Sequence, residues 1–251
     1  MPDAWLVLPT YNEAENIEAF VEAARAKLPA SAQVLIVDDS SPDGTGEIAD
    51  RLAGRHENVS ALHRHRKEGL GPAYIAGFRR ALAAGAGLVL EMDSDFSHDP
   101  AYLPRMLAEA ERADVVLGSR YVPGGGISDW GPLRKAISRS GSAYARLVLG
   151  VRVRDLTGGF KCFRREVLET IDLDAVQARG YAFQVEMTYR AIQCGFKVVE
   201  VPIVFRDRRA GSSKMDRSIV AEAVWQVPRL RFGRRQVRNT RTAPRPGRYT
   251  F

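Results

Sequence analysis

Cysteine is scarce in this chain: Cys162 and Cys194 are the whole complement, and neither belongs to a Cys-x-x-Cys pair. That argues against a disulfide framework or a thiolate metal centre, and both thiols are expected reduced and packed in the core. Long hydrophobic runs are missing too. No stretch exceeds ten residues without Lys, Arg, Asp or Glu, whereas a spanning helix needs roughly 20 mostly apolar residues, so the chain is not expected to cross a bilayer. The opening residues MPDAWLVLPT lack a basic segment and a small-residue cleavage site; they do not read as a secretory leader, and a cytoplasmic location is expected. His56, His63, His65 and His98 show no ligand spacing and are expected in surface loops. Acidic residues stop at Glu222, after which eight arginines follow, from Arg229 to Arg248. The formal charge of +7 therefore belongs to the C-terminal end of a nearly neutral body, which suits an anionic surface such as lipid headgroups or nucleic acid.

What is present is the makeup of a globular protein, 251 residues long, 45% hydrophobic and 27% charged, enough to close one large core. Short apolar runs at Ala4 to Leu8, Gln33 to Val37, Val59 to Leu62, Leu88 to Met92 and Val115 to Gly118 read as strands. Between them, Asn16 to Leu28, Gly46 to Ala53, Ala73 to Ala84 and Ala101 to Ala110 read as helices, the last opened by an Asp99-Pro100 cap. This alternation predicts an α/β fold, a mainly parallel sheet with helices on both faces. Ligands bind beyond the carboxyl ends of strands in such sheets. Tyr121 to Pro132, with four glycines and two prolines, reads as a mobile binding loop. Then come a helix at Leu133 to Leu149, a turn DLTGGFKCF entering a strand, a helix at Gln184 to Cys194 and a strand at Lys197 to Phe205. Ser218 to Val227 is amphipathic, Pro228 is expected to end or kink it, and the last dozen residues read as disordered.

Chemistry collects at the predicted strand ends. Asp93-Ser94-Asp95 follows the run LVLEM, setting two carboxylates where a hard cation such as Mg²⁺ or Mn²⁺ can meet them and a substrate phosphate. The spacing alone is weak, because Asp172-Leu173-Asp174 repeats it without that context. Pro9-Thr10-Tyr11-Asn12-Glu13 and Asp38-Asp39 close two further strands, bringing acids to one edge, where they need a cation or hydrogen-bond donors between them. Asp38 and Asp39 also read as caps of the next helix, and Asp43-Gly44 reads as a turn.

The strings LPTYNEAENI, VLIVDDSSPDGT, KEGLGPAYIAGF, MDSDFSHDP, GSRY, LTGGFKCF and QVEMTYRA occur in this order. Over residues 4 to 216 the chain resembles family 2 glycosyltransferases of the GT-A (Rossmann-like) fold. More narrowly, it is similar to the polyprenol-phosphate mannose synthases, the dolichol-phosphate mannose synthase group. The resemblance implies GDP-mannose as donor, polyprenyl phosphate as acceptor and a divalent cation, Mg²⁺ or Mn²⁺. It implies guanosine contacts at Pro9, Tyr11, Glu13, Val37 and Asp39, and metal and diphosphate binding at Asp93 and Asp95. Ser97 matches a further metal ligand, and Ser94 stands where relatives often have Ala. Arg120, Arg134, Arg139, Ser138 and Gln184 match positions around the acceptor phosphate, and Arg208 and Lys214 match donor positions. Asp95, Arg120, Arg134 and Glu186 are the implied catalytic set.

Arginine outnumbers lysine 31 to 6, which is permissive for bidentate phosphate binding. A phosphate acceptor is already ionised at neutral pH and needs little help from a base. The acceptor lies in a membrane, so residues 217 to 237 are expected to act as a peripheral anchor on the cytoplasmic face, residues 238 to 251 as a tail, and a separate membrane-anchoring protein is a candidate partner. Rival readings are UDP-glucose as donor, another family 2 acceptor, a receiver-like module suggested by LIVDDSS, and nucleic-acid binding by the tail. The paired acids sit on the second strand of a long chain, unlike a receiver, and no nucleic-acid partner is expected.

Overall fold

The structure, a computed structural model, describes residues 3–176, 178, 180–207 and 226–232. Arg208, Lys214, most of Ser218 to Val227, the arginines beyond residue 232 and the expected boundary at residue 216 lie outside the described residues. Strands β1 (Ala4–Thr10), β2 (Gln33–Asp38), β3 (Val59–His63) and β4 (Leu88–Glu91) alternate with helices α1 (Ile17–Arg25), α2 (Thr45–Arg55) and α3 (Leu70–Ala83). A 3-10 turn at Pro100–Tyr102 leads into α4 (Leu103–Glu109) and β5 (Val115–Ser119), and the Asp99 carboxylate accepts from the Ala101 amide at 2.9 Å as the expected cap. Then follow β6 (Gly126–Ile127), α5 (Pro132–Leu149), β7 (Lys161–Arg164), α6 (Arg165–Thr170), a 3-10 turn at Leu173–Ala175, α7 (Gly180–Gln193), β8 (Val198–Pro202) and β9 (Val204–Phe205).

Seven strands form one sheet in the order β3-β2-β1-β4-β7-β5-β8. All pairings are parallel except those of β7, which runs antiparallel between β4 and β5. The chain leaves β1 toward β2 and β3 on one side and returns to β4 on the other, so a crevice opens at the carboxyl ends of β1 and β4. The strands read as unbroken apolar runs because both faces are covered. Alternate residues serve opposite cores. Trp5, Val7, Leu35, Val37 and Val89 meet α3, α5 and α7, while Leu6, Leu8, Val34, Ile36 and Leu90 meet α1, α2 and α4. Gly77 lets α3 approach β1 closely, since a Cβ there would fall 2.3 Å from a Val7 methyl.

Three expectations change. The run Lys197 to Phe205 is two strands, because β8 extends the large sheet while β9 pairs in parallel with β6. The glycine-rich loop is consequently pinned: Gly126 and Ile127 form β6, and buried Trp130 meets Phe205 edge-on at 5.2 Å. Of the two expectations for Pro228, an ending is not met, since residues 226–232 are helical through it, with Val227 and Leu230 packed on the core that α5 and α7 share, while a kink against Ser218 to Trp225 lies outside the described residues.

Candidate active site

At the first two strand ends, backbone and carboxylates lock the loops together. Asp38 accepts from the Thr10 hydroxyl and the Ser41 amide, both at 3.0 Å. It braces the turn and does not cap α2, whose N-cap is Gly44 at φ 91°. Asp43 is a turn residue, as read, accepting from the Thr45 and Ala14 amides at 3.1 Å. Asp39 is buried and takes the amides of Glu68 at 3.1 Å and Gly69 at 3.2 Å together with the Arg64 guanidinium, so it anchors the 64–69 loop. The five residues implied for the nucleoside therefore divide. Tyr11 and Glu13 stand partly exposed at the rim, with Lys67 Nζ 3.9 Å above the Tyr11 ring. Pro9 and Val37 are register partners buried in the sheet beneath Asp39.

Beyond β4, the loop Asp93 to His98 folds inward. The buried Tyr74 hydroxyl donates to Asp93 Oδ1 at 3.1 Å, under a stacked Phe183 ring, and burial with the nearby Asp93 charge raises its pKa well above the ordinary tyrosine value. Asp95 Oδ1 accepts from the Ser97 amide at 3.0 Å, and between them Phe96 takes a left-handed φ of 62°, held by an edge-on contact with Phe20. A bulky residue in that region is strained and persists only where its surroundings fix it. The Ser94 and Ser97 hydroxyls are buried without hydrogen-bond partners among the described residues. So is Gln184 Nε2, which lies within reach of Gly159, and a Cβ on Gly159 would stand 3.5 Å from both it and Asp93 Oδ2. The missing side chain at Gly159 thus leaves the approach to Asp93 open. An all-oxygen set of two fixed carboxylates and an unsatisfied hydroxyl fits a hard divalent cation. No group of three or more His, Cys, Asp or Glu side chains converges among the described residues, so such an ion would draw its remaining ligands from substrate phosphate and water.

A family model for glycosyl transferase family 2 matches residues 5–172. The chain belongs to glycosyl transferase family 2. It is 49% identical over 89% of its length, and 91% of the relative's, to undecaprenyl-phosphate mannosyltransferase of Micrococcus luteus. It is 47% identical to polyprenol monophosphomannose synthase of Mycolicibacterium smegmatis, covering 88% of this chain and 84% of the other. Among solved structures it resembles glucosyl-3-phosphoglycerate synthase of Mycobacterium tuberculosis bound to Mg²⁺ and UDP, with a TM-score of 0.68 at 18% identity over 92% of this chain and 79% of that one. That likeness establishes the GT-A fold.

In this family 2 chain the arginines separate into three environments. Arg120, expected at a phosphate, is buried and spends Nε and Nη2 on Asp155, both at 2.7 Å, with Thr157 at 2.8 Å. Burial pushes the Asp155 carboxyl up, but the Arg120 charge and hydrogen bonds more than offset it and hold it below the usual carboxylate range. Arg134 lies 3.9 Å over the Trp130 ring and pairs with Asp207 at 3.2 Å near the surface. Arg139 is exposed further along α5, one residue past Ser138, whose hydroxyl meets the Tyr121 hydroxyl at 2.7 Å. Glu186, implied as catalytic, is buried and accepts from the Arg190 fork at 2.7 and 2.8 Å and from the Ala178 amide at 3.1 Å, which makes it a brace between α7 and the preceding turn.

Four residues of this family 2 site were missed or misplaced by the sequence reading. Asp155 and Tyr74 lie inside DLTGGFKCF and KEGLGPAYIAGF, where nothing in the local sequence marks either for a role. Lys161 is fully buried, donating to Glu91 at 3.0 Å and to the Gln184 side chain. Burial drives Glu91 up and Lys161 down, and their mutual attraction only partly offsets it. His98, expected in a surface loop, is buried between the Phe160 and Phe205 rings at 5.6 and 5.0 Å, and burial lowers its pKa to about 4. The other three histidines are partly or fully exposed, although His63 closes β3 and does not lie in a loop. Cys162 is buried and its thiol is pushed up to about 12, while Cys194 is half-buried; both are free.

Proposed function

We propose that the chain transfers mannose from GDP-mannose to a polyprenyl monophosphate, inverting the anomeric carbon and releasing GDP. The observation that carries this reading is the fixed Asp93 and Asp95 pair at the β1/β4 crevice, in a chain 49% and 47% identical to enzymes named for polyprenyl-phosphate mannosylation. Asp93 and Asp95, with the Ser97 hydroxyl, would hold Mg²⁺ or Mn²⁺, which would supply positive charge for the diphosphate leaving group. Tyr74 and the Ser97 amide keep those carboxylates in place, so no reorganisation is needed as charge builds. Ser94 lines the same turn. Tyr11 and Glu13 receive the nucleoside over the floor of Pro9, Val37 and Asp39, and Gln184 Nε2 offers a hydrogen bond beside Asp93. Arg208 and Lys214 take the donor phosphates on the strength of the motif resemblance.

The acceptor phosphate is ionised at neutral pH, so its oxygen attacks without a general base. Arg134 and Ser138 meet it; Arg134's pairing with Asp207 is exposed, worth about 1 kcal/mol or less, and readily exchanged for a phosphate. Arg120 and Glu186 act as positioning residues, one supplying a fixed charge through Asp155, the other holding α7.

Among the described residues no helix is long and apolar enough to cross a membrane. Yet the large hydrophobics that stand exposed among the described residues, Leu133 at 74%, Ile137 at 52%, Leu147 at 77% and Phe232 at 74%, all lie on α5 or on residues 226–232, where Arg231 closes over Gly150 at the end of α5. The helix has basic residues and no acid. Such a face suits peripheral contact with an anionic bilayer at its cytoplasmic side, where the acceptor phosphate is presented. Labelled GDP-mannose and UDP-glucose, each incubated with a short polyprenyl phosphate and Mn²⁺, test the reaction: product is expected from GDP-mannose, and product from UDP-glucose alone overturns it. Asp93→Asn with Asp95→Asn is expected to lower turnover by at least about 10²-fold.

A further inference from the structure

A cleft of about 210 Å³ opens beside α5, lined by Tyr121, Arg139, Ala143, Arg146 and Arg154. Tyr121 follows β5 and its hydroxyl meets Ser138 at 2.7 Å, so one end of the cleft adjoins the proposed acceptor site, while Arg139, Ala143, Arg146 and Arg154 carry it away along α5 and the segment after it. Arg139 and Arg146 are seven residues apart, two turns along the same side of the helix, and the small Ala143 between them leaves the space open. Arg154 comes from the segment after α5. The chain reverses at Gly150, with φ 68°, and the amides of Arg154 and Asp155 both donate to the Glu200 carboxylate at 2.9 Å. Glu200 is thereby turned to backbone. Unlike Arg120 and Arg134, none of the three guanidiniums pairs with a carboxylate among the described residues. Three like charges around one cavity repel each other until an anion enters, and planar guanidinium forks match phosphate oxygens.

The neighbourhood says what carries that anion. Leu147 follows Arg146 directly and is among the most exposed hydrophobics, with Ile137 and Leu133 further up the helix. An apolar ridge beside a basic pocket matches a phosphate that comes tethered to hydrocarbon. We infer that the cleft seats the phosphate headgroup of an anionic membrane lipid other than the acceptor, held by Arg139, Arg146 and Arg154. This rests on the reading of α5 as the membrane-facing helix. It reassigns Arg139 from the acceptor phosphate to a docking seat further along the same helix.

The test uses the full-length chain and vesicles of phosphatidylcholine with or without phosphatidylglycerol. Arg146→Gln with Arg154→Gln is expected to weaken binding to the anionic vesicles about 30-fold, since each basic residue near such a surface is worth roughly five- to sixfold. The control, Arg51→Gln with Arg105→Gln, has the same net charge but sits on α2 and α4, on the opposite face of the sheet. It is expected to lose less than about threefold. Equal losses in the two variants would reduce the seat to diffuse electrostatics and overturn it. Mannosyl transfer to a short acceptor in detergent is expected to stay within about twofold in the cleft variant; a parallel fall would make the cleft part of the acceptor site instead. Calorimetry with inorganic phosphate separates the sources: tight binding of free phosphate that the variant abolishes, with vesicle binding unchanged, would assign the cleft to a soluble anion. If the unaltered chain transfers mannose to no polyprenyl phosphate, the proposed reaction fails while the vesicle comparison still decides the seat.

Discussion

Arg120 and Asp155 face each other with almost no access to water, and that dryness fixes what a substitution does. Replacing the carboxylate by an amide of the same shape leaves a buried guanidinium uncompensated, a loss of about 3–5 kcal/mol when one partner of a buried pair is removed. Asp155→Asn is therefore expected to unfold at clearly lower urea concentration at pH 7. Because folding lowers the Asp155 pKa below its ordinary 3.8, the pair's contribution is fully present above about pH 4 and fades as pH falls through the depressed value. The gap between the two proteins should narrow only in that acid range; a gap that is constant down to pH 2 would show that the pair's charge is not what stabilises the site. The same residue scale marks where sequence reading stopped. Asp93 and Asp95 were legible because they close a predicted strand. Asp155 and His98 were not, since each owes its role to partners brought near by packing, Arg120 for one and the Phe160 and Phe205 rings for the other. Burial between the two rings lowers the His98 pKa to about 4 and so disfavours its charged form.

Elements with a strong period were readable, and short ones were not. The first four parallel strands and their helices fall within a few residues of the expected limits, because a buried strand needs an apolar run and a covering helix needs a stripe. β6 is two residues long and α6 only six, too short to show either period. The antiparallel entry of β7 is set by which neighbours remain unpaired, which no local pattern encodes. Close packing of these elements gives a direct check. Gly77→Ala would press a methyl into Val7, and overpacking of this sort costs about 1–3 kcal/mol. The urea midpoint should drop with unchanged m-value, and an unchanged midpoint would mean that α3 can shift away from β1. The small β6–β9 ladder matters in another way, since it holds Trp130 under Arg134. Removing the ring in Trp130→Ala forfeits a cation–π contact of about 1 kcal/mol. The acceptor KM is expected to rise about fivefold with the donor KM unmoved; a change confined to the donor would contradict the placing of Arg134 at the acceptor.

On the scale of the whole molecule, the Asp93 and Asp95 carboxylates and the exposed hydrophobics sit on different parts of the structure, the former at the sheet's carboxyl edge and the latter on α5 with residues 226–232, the surface proposed to meet a bilayer. Two forces act on that surface, and salt separates them. Attraction between basic residues and lipid headgroups is screened over a Debye length of roughly 8 Å at physiological ionic strength, and over about 3 Å at 1 M. Apolar insertion is not screened. Ile137→Gln with Leu147→Gln removes two exposed aliphatic side chains without altering charge. As surface changes they are expected to shift stability by less than about 0.5 kcal/mol each. If each side chain buries half its area in the headgroup boundary, the loss is about 1 kcal/mol apiece, or roughly 30-fold in vesicle partitioning for the pair. That deficit should persist in 1 M salt, where the arginine contribution has largely disappeared, and turnover in detergent with a short acceptor should be unaffected. A deficit that vanishes in high salt would mean that these residues merely flank an electrostatic contact and do not enter the bilayer, and vesicle binding equal to the unaltered chain at both salt concentrations would remove α5 from the membrane altogether.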